Sequence, residues 1–330
     1  MGHPLQEASN EAEKGNSTVH IDLYIALAGL IVGCAVGLTG MGGGALMTPV
    51  LVLLFHVQPV AAVASDLVAS LVMKPVGAAV HAGRGTVRWS LVACLAIASV
   101  PSAFLGVVFI KSVGNGTRIQ SIVGVTLGAV LLLAVAALGL KMYMDLRTGD
   151  RSVNDALHVK KLPTLAIGAS IGFIVGITSV GSGTLVIVLL LFLYPRLRGS
   201  QMVGTDLAQA IPMVGAAAIA HILFGDFKLG LTASILIGSI PGVLIGSLVS
   251  SYAPTLFLRG ALSAVLLLSG LKLVNVPTLA IGAVLLVCVV ALLGAWITIR
   301  HSGRTLREVV GETGRNAGTS GALALDAEGA

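Results

Sequence analysis

The segment ASDLVASLVMKPVGAAVHAG (64–83) carries Asp66, Ser70, Lys74 and His81 inside an otherwise apolar run. At offsets of 0, 4, 8 and 15 these side chains fall close to one face of a helix. Lys74 stands near the middle of the run, where a charge in lipid costs at least about 2.5 kcal/mol, so it must meet a partner or a wet cavity. Pro75 follows it, which loosens a helix and frees a carbonyl nearby. An ammonium so placed can hold an anionic substrate, or it can form a structural ion pair with Asp206 or Asp66. Direct pairing with Asp66 along one helix is disfavoured by eight residues of rise, about 12 Å.

Backbone amides offer a second kind of anion chemistry. GLTGMGGGALMTP (37–49) packs glycines at 40, 42, 43 and 44, and GITSVGSGTL (176–185) repeats the device as Gly181, Ser182 and Gly183. Neither run is a phosphate loop, because the Lys-Ser/Thr ending and the strand context are missing. Gly33, Gly37 and Gly40 suit close helix packing. Packing does not explain Gly42, Gly43 and Gly44 in succession, each of which costs a helix interior about 1 kcal/mol. Consecutive glycines therefore predict a broken helix, which membrane depth tolerates where it lines a cavity or is buried in protein. The helix restarting after each break aims free N–H groups and a positive dipole end into that cavity, with Thr39, Thr178 and Ser182 adding hydroxyls.

Asp66 and Asp206 follow Ser65 and Thr205 near the starts of their segments, so helix capping and proton coupling are both open to them. His81 and His221 stand before Gly85 and Gly225 at the far ends, where dipole satisfaction and a proton relay are the alternatives. These four residues are the candidates for coupling or gating.

Composition fixes the elements that must carry these groups. Of 330 residues, 56% are hydrophobic and 10% charged, with a mean hydropathy of +0.99. A soluble globular domain would not tolerate that balance, and continuous apolar runs exclude a β-barrel. The expected class is an all-α polytopic membrane protein. The net charge of +6 comes from basic residues in short inter-span loops and reads as topology rather than nucleic-acid binding. Cys34, Cys94 and Cys288 lie within apolar runs and read as packing residues.

Residues 1–20 form a polar tail without the basic start of a signal peptide, followed by transmembrane repeat 1 (21–140), a charged cytoplasmic linker (141–162) and transmembrane repeat 2 (163–274). An extra C-terminal span (275–300) and a tail read as disordered (301–330) complete the chain. Segments 45–55 and 184–194 are too short to cross a bilayer core of about 30 Å. The duplication is visible residue by residue: Gly37 aligns with Gly176, Gly44 with Gly183, Asp66 with Asp206, His81 with His221 and Pro101 with Pro241, while Lys74 meets Val214. If each glycine segment is a re-entrant hairpin, the basic residues outside the spans divide 14 to 5 in favour of the cytoplasm; if each crosses once, they divide 10 to 9. The positive-inside rule selects hairpins. Each repeat is then a Gly-broken hairpin plus three spans, the repeats are inverted, and the N-terminus lies outside with the C-terminus in the cytoplasm.

These motifs, together with GRGTVRW (83–89), VGTDLAQAIP (203–212), HILFGDFKLG (221–230) and GSIPGVLIGS (238–247), resemble the TauE/SafE sulfite exporter (TSUP) family over about residues 22–274. The resemblance implies a bacterial cytoplasmic-membrane carrier for small sulfur-containing anions such as sulfite or organosulfonates. An extra C-terminal span departs from the eight spans more often described for that family. The expected function is a secondary exporter that binds its anion with Lys74, Ser70 and the broken-helix groups (Thr39, Gly42, Gly43, Gly44, Thr178, Gly181, Ser182, Gly183). No ATP motif, cofactor or metal is called for. The expected partners are a small anion and membrane lipid, with no nucleic acid. An anion channel is an alternative, and a Ser182–His221 intramembrane hydrolase is another, although repeat 1 carries Gly43 in place of the serine.

Overall fold

A backbone in lipid must satisfy its own polar groups, so long apolar runs become helices. The computed structural model describes residues 22–39, 44–114, 116–147, 159–195, 197–249, 255–277 and 279–284. The first repeat supplies α1 (Leu23–Thr39), α2 (Gly44–Leu53), α3 (Pro59–Gly83), α4 (Trp89–Ser112) and α5 (Thr117–Arg147). The second supplies α6 (Lys161–Thr178), α7 (Thr184–Leu193), α8 (Gly199–Leu223), α9 (Leu229–Val249) and α10 (Thr255–Leu273). No strand occurs among the described residues. Among the described residues six helices, α3, α4, α5, α6, α8 and α9, are long and apolar enough to cross a membrane. α2 and α7 have 10 residues each, about 15 Å of helix, and cannot cross alone.

Helix boundaries follow local chemistry. Asp22 Oδ1 accepts the N–H of Tyr24 at 2.8 Å and caps α1. α6 ends where Ser179 turns left-handed at φ 59° and its N–H closes on Val175 O. α5 runs on through Arg147 and α6 starts at Lys161, so both ends of the expected 141–162 linker are helical or border a helix. The expected tails 1–20 and 301–330, the middle of the linker, Gly42, Gly43 and most of the extra C-terminal span lie outside the described residues. Pro277 opens a separate unit in which 279–284 are helical.

Large apolar side chains face outward, while charged groups of the spans are buried within a largely apolar core. Ile97, Leu105 and Phe109 on α4 and Leu244 and Leu248 on α9 are exposed, while Asp66, Lys74, Asp206 and His221 are buried. A chain folding in water would reverse that distribution, whereas lipid favours it.

Helix pairing is exchanged between the repeats. α1 packs along α9, and its counterpart α6 packs along α4. Both contacts rest on glycine, which lets backbones approach where the hydrophobic effect supplies no drive. A Cβ on Gly33 of α1 would come 2.6 Å from the Ser239 carbonyl of α9, and one on Gly168 of α6 would come 2.6 Å from the Leu95 carbonyl of α4. Equivalent elements also meet at the centre, α3 on α8 and α5 on α10. The α3–α8 pair is antiparallel, since Gly204 faces His81, Gly77 faces Leu207 and Leu71 faces Gly215.

Candidate functional site

The centre of the fold is the crossing of α3 and α8, flanked by α2 and the broken stretch between α6 and α7. That break has the geometry only glycine accepts easily: Gly181 has φ 119° and Gly183 φ 113°. Ser182 is thereby held at the tip, beside the first turn of α7. Lys74 reaches it from α3, its Nζ donating to Ser182 Oγ at 2.5 Å. Lys74 is only 6% exposed and is the one buried lysine or arginine among the described residues. Asp66 and Asp206 act on it electrostatically, but neither forms a close ion pair with it among the described residues.

Both aspartates lie one to two turns inside their helices, so neither caps its own. Asp206 instead takes the backbone N–H of Gly183, the N-cap residue of α7, and Gln209 Nε2 donates to its Oδ1 at 3.4 Å. An amide expected to face an anion thus already holds a carboxylate. Ser99 Oγ extends this chain by donating to Gln209 Oε1 at 3.3 Å. Asp66 has a different setting. Its Oδ2 accepts from Thr48 Oγ1 of α2 at 2.8 Å and from Ser179 Oγ of the second break at 2.7 Å. Among the described residues its Oδ1 is buried without a partner, as is Ser70 Oγ one turn along the same face. Gly44, first residue of α2, is pressed into this corner, where a Cβ would lie 2.9 Å from Ser179 Oγ and 3.1 Å from Asp66 Oδ2.

The structure therefore brings together Lys74, Ser70, Asp66, Asp206, Gly44, Gly181, Ser182 and Gly183 among the residues singled out in the sequence. Thr178 is engaged at the end of its own helix. Its hydroxyl donates to Ile174 O at 2.8 Å and accepts the N–H of Val180 at 3.2 Å, so it finishes α6 instead of facing a ligand. Gly42, Gly43 and the Thr39 side chain lie outside the described positions. Thr48, Ser179 and Gln209 were missed. Gln209 follows Asp206 at helical i, i+3 spacing and could have been found; Thr48 and Ser179 join through tertiary contacts that spacing does not reveal.

The histidines stand apart from this centre. His81 Nδ1 contacts Thr86 Oγ1 at 2.9 Å. His221 Nδ1 meets Asp226 Oδ2 at 3.1 Å and its Nε2 meets Gly176 O at 3.0 Å, so both ring nitrogens face acceptors. Lys111 completes that cluster by donating to Asp226. Burial alone would raise Asp226, yet the hydrogen bonds from His221 and Lys111 outweigh it and hold the carboxyl below its ordinary value. A Ser182–His221 dyad is absent: the serine is bonded to Lys74 and the histidine to Asp226 and Gly176.

Apolar helices enclosing a buried charged centre define a multi-pass membrane transporter, which takes a small-molecule substrate and is not an enzyme. The chain belongs to the family described as Sulfite exporter TauE/SafE, whose model matches residues 25–273. It is 40% identical over 256 residues to the "Probable membrane transporter protein YjnA" of Bacillus subtilis (strain 168), covering 77% of this chain and 100% of that relative. No solved structure matches it.

Proposed function

We propose that this transporter is a secondary carrier that exports small sulfur-containing anions, such as sulfite or organosulfonates, across the bacterial cytoplasmic membrane. One observation carries the reading: Lys74, a cation buried at the crossing of equivalent helices, bonds nothing more specific than a serine hydroxyl in a helix break. An oxyanion can displace that hydroxyl or share it. Ser70 Oγ, unpartnered on the same helix face, offers a further donor. Asp66, Asp206, His81 and His221 are the groups for coupling or gating.

We further propose that the repeats are inverted, with the N-terminus outside and the C-terminus in the cytoplasm. The antiparallel crossing of α3 and α8 supports inversion, because equivalent helices related by an in-plane two-fold must run in opposite directions. The exchanged packing also changes which bodies would rearrange. α1 moves with α9 and α4 with α6, so alternating access would separate two mixed bundles, not the sequence halves.

The test is radiolabelled flux in proteoliposomes against sulfite, thiosulfate, sulfoacetate, taurine, sulfate and acetate. Lys74→Gln should remove about 2–5 kcal/mol of binding, a loss of roughly thirtyfold or more in affinity. Unchanged flux in that variant would eliminate Lys74 as the anion-binding group.

A further inference from the structure

We infer that Asp66 is a proton-binding site whose occupancy is tied to the anion at Lys74, so that anion and proton move together; this rests on the reading of Lys74 as the anion-binding group. The inference starts from an orphan. Asp66 is fully buried and both of its hydrogen-bond donors, Thr48 and Ser179, serve Oδ2, leaving Oδ1 with none. A buried charged oxygen without a donor is costly, and such an atom calls for a ligand or a proton.

Charge balance points to the proton. The centre holds one ammonium, Lys74, and two carboxyls, Asp66 and Asp206. With all three ionised, an arriving anion adds to an existing excess of negative charge in a site shielded from water. A carboxylate cannot face an oxyanion, whereas a carboxylic acid can donate to it. Ser70 Oγ and Asp66 Oδ1, both unpartnered and one helical turn apart, would then act as two donors toward oxygens of an anion held by Lys74.

The two aspartates are not equal candidates. Asp206 accepts the Gly183 N–H at the start of α7, where the helix dipole favours negative charge, and also a side-chain amide. Asp66 has a free oxygen and no such amide among the described residues. The charged groups around Asp66 are few. Its own helix brings Lys74 and, near its end, His81, and α8 brings Asp206 and His221; α2 and α9 carry no ionisable residue, and α5 carries Arg118, Lys141, Tyr143, Asp145 and Arg147 toward its ends. The step is a proton transfer without redox change: an O–H bond forms at Asp66 Oδ1 as one breaks in a hydronium ion on the side the anion enters, and the reverse returns the proton to water on the other side.

The experiment uses the full chain in proteoliposomes containing a pH-sensitive dye, with membrane potential clamped and radiolabelled sulfite or thiosulfate as the probe. Thiosulfate is included because it does not itself carry a proton near neutrality. The wild type should acidify the lumen as the label enters. Its steady-state accumulation should rise roughly tenfold per unit of inside-alkaline pH gradient for one proton carried. Asp66→Asn should lose the response to the gradient, and Asp66→Glu should recover part of it. Flux indifferent to the pH gradient, drive by a sodium gradient instead, or a full response in Asp66→Asn each overturns the inference while leaving the anion site standing. Absence of flux for both anions overturns the anion reading, and this inference with it.

Discussion

Asp66 and Asp206 occupy the same place in the two repeats and differ in almost every bond they make. Asp206 is held by an amide at the start of its own repeat's short helix and by Gln209. Asp66 is held by Thr48 and by Ser179 of the other repeat, and its second oxygen is left bare. The ammonium follows the same asymmetry, with Lys74 in one repeat and Val214 in the other. Duplication thus built a symmetric scaffold, and a few substitutions at the crossing made its two sides chemically distinct.

The sharpest way to break this comparison is to move the cation. In a Lys74→Val, Val214→Lys double variant, the ammonium moves to the position in the second repeat that aligns with Lys74 and answers in sequence to the first glycine run. There Gly43 stands where the second break has Ser182. Flux should remain as low as in Lys74→Gln. Restoration toward wild type would mean that the repeats are interchangeable, and that the different bonds of Asp66 and Asp206 do not matter.

A smaller effect tests the scaffold, where the two halves should behave alike. Gly33→Ala and Gly168→Ala each force a methyl against a backbone carbonyl on an exchanged partner helix. Overpacking of this kind costs about 1–3 kcal/mol, and the two variants should lose thermal stability in detergent to a similar degree. Gly83→Ala, with nothing within 4 Å, is the control and should change little. A large loss at one of the paired sites and none at the other would contradict the matched packing of α1 on α9 and α4 on α6.

The scaffold was more legible in the sequence than the site, for a physical reason. Lipid makes hydrophobicity and length decide where helices lie, so the expected segment 60–82 became Pro59–Gly83 and 184–194 became Thr184–Leu193. The short helices, and the break before α7, follow from glycine's conformational cost, which is also local. Gly238, Gly242 and Gly246 recur every fourth residue, a visible sign that α9 offers a backbone-close face. What that face meets, α1 of the other repeat, is a tertiary choice that spacing does not encode. The same limit applies to the site. Lys74 was recognisable because a buried charge is costly wherever it points, but its hydroxyl partner lies 108 residues away. The bonds of Thr178 to Ile174 and Val180 were equally hidden, because a hydroxyl beside a break can face a ligand or bond its own helix end, and local sequence fits both.

The least effect is expected at the ends of α3 and α8, where His81 contacts Thr86 and His221 contacts Asp226. Asp226 is held below its ordinary value although burial opposes this, because His221 and Lys111 donate to it. A depressed carboxyl stabilises the fold above its unfolded-state value and loses that contribution as pH falls through the folded one. Asp226→Asn should therefore lower the melting temperature by a few degrees at neutral pH. The gap from wild type should narrow on acidification below about pH 4, the ordinary aspartate range. Thr86→Val removes a hydroxyl that does not titrate, so below the histidine range its gap should stay flat. A gap for Asp226→Asn that is equally flat would show that the cluster on the second repeat works through packing and not through charge, and the two ends would then be alike.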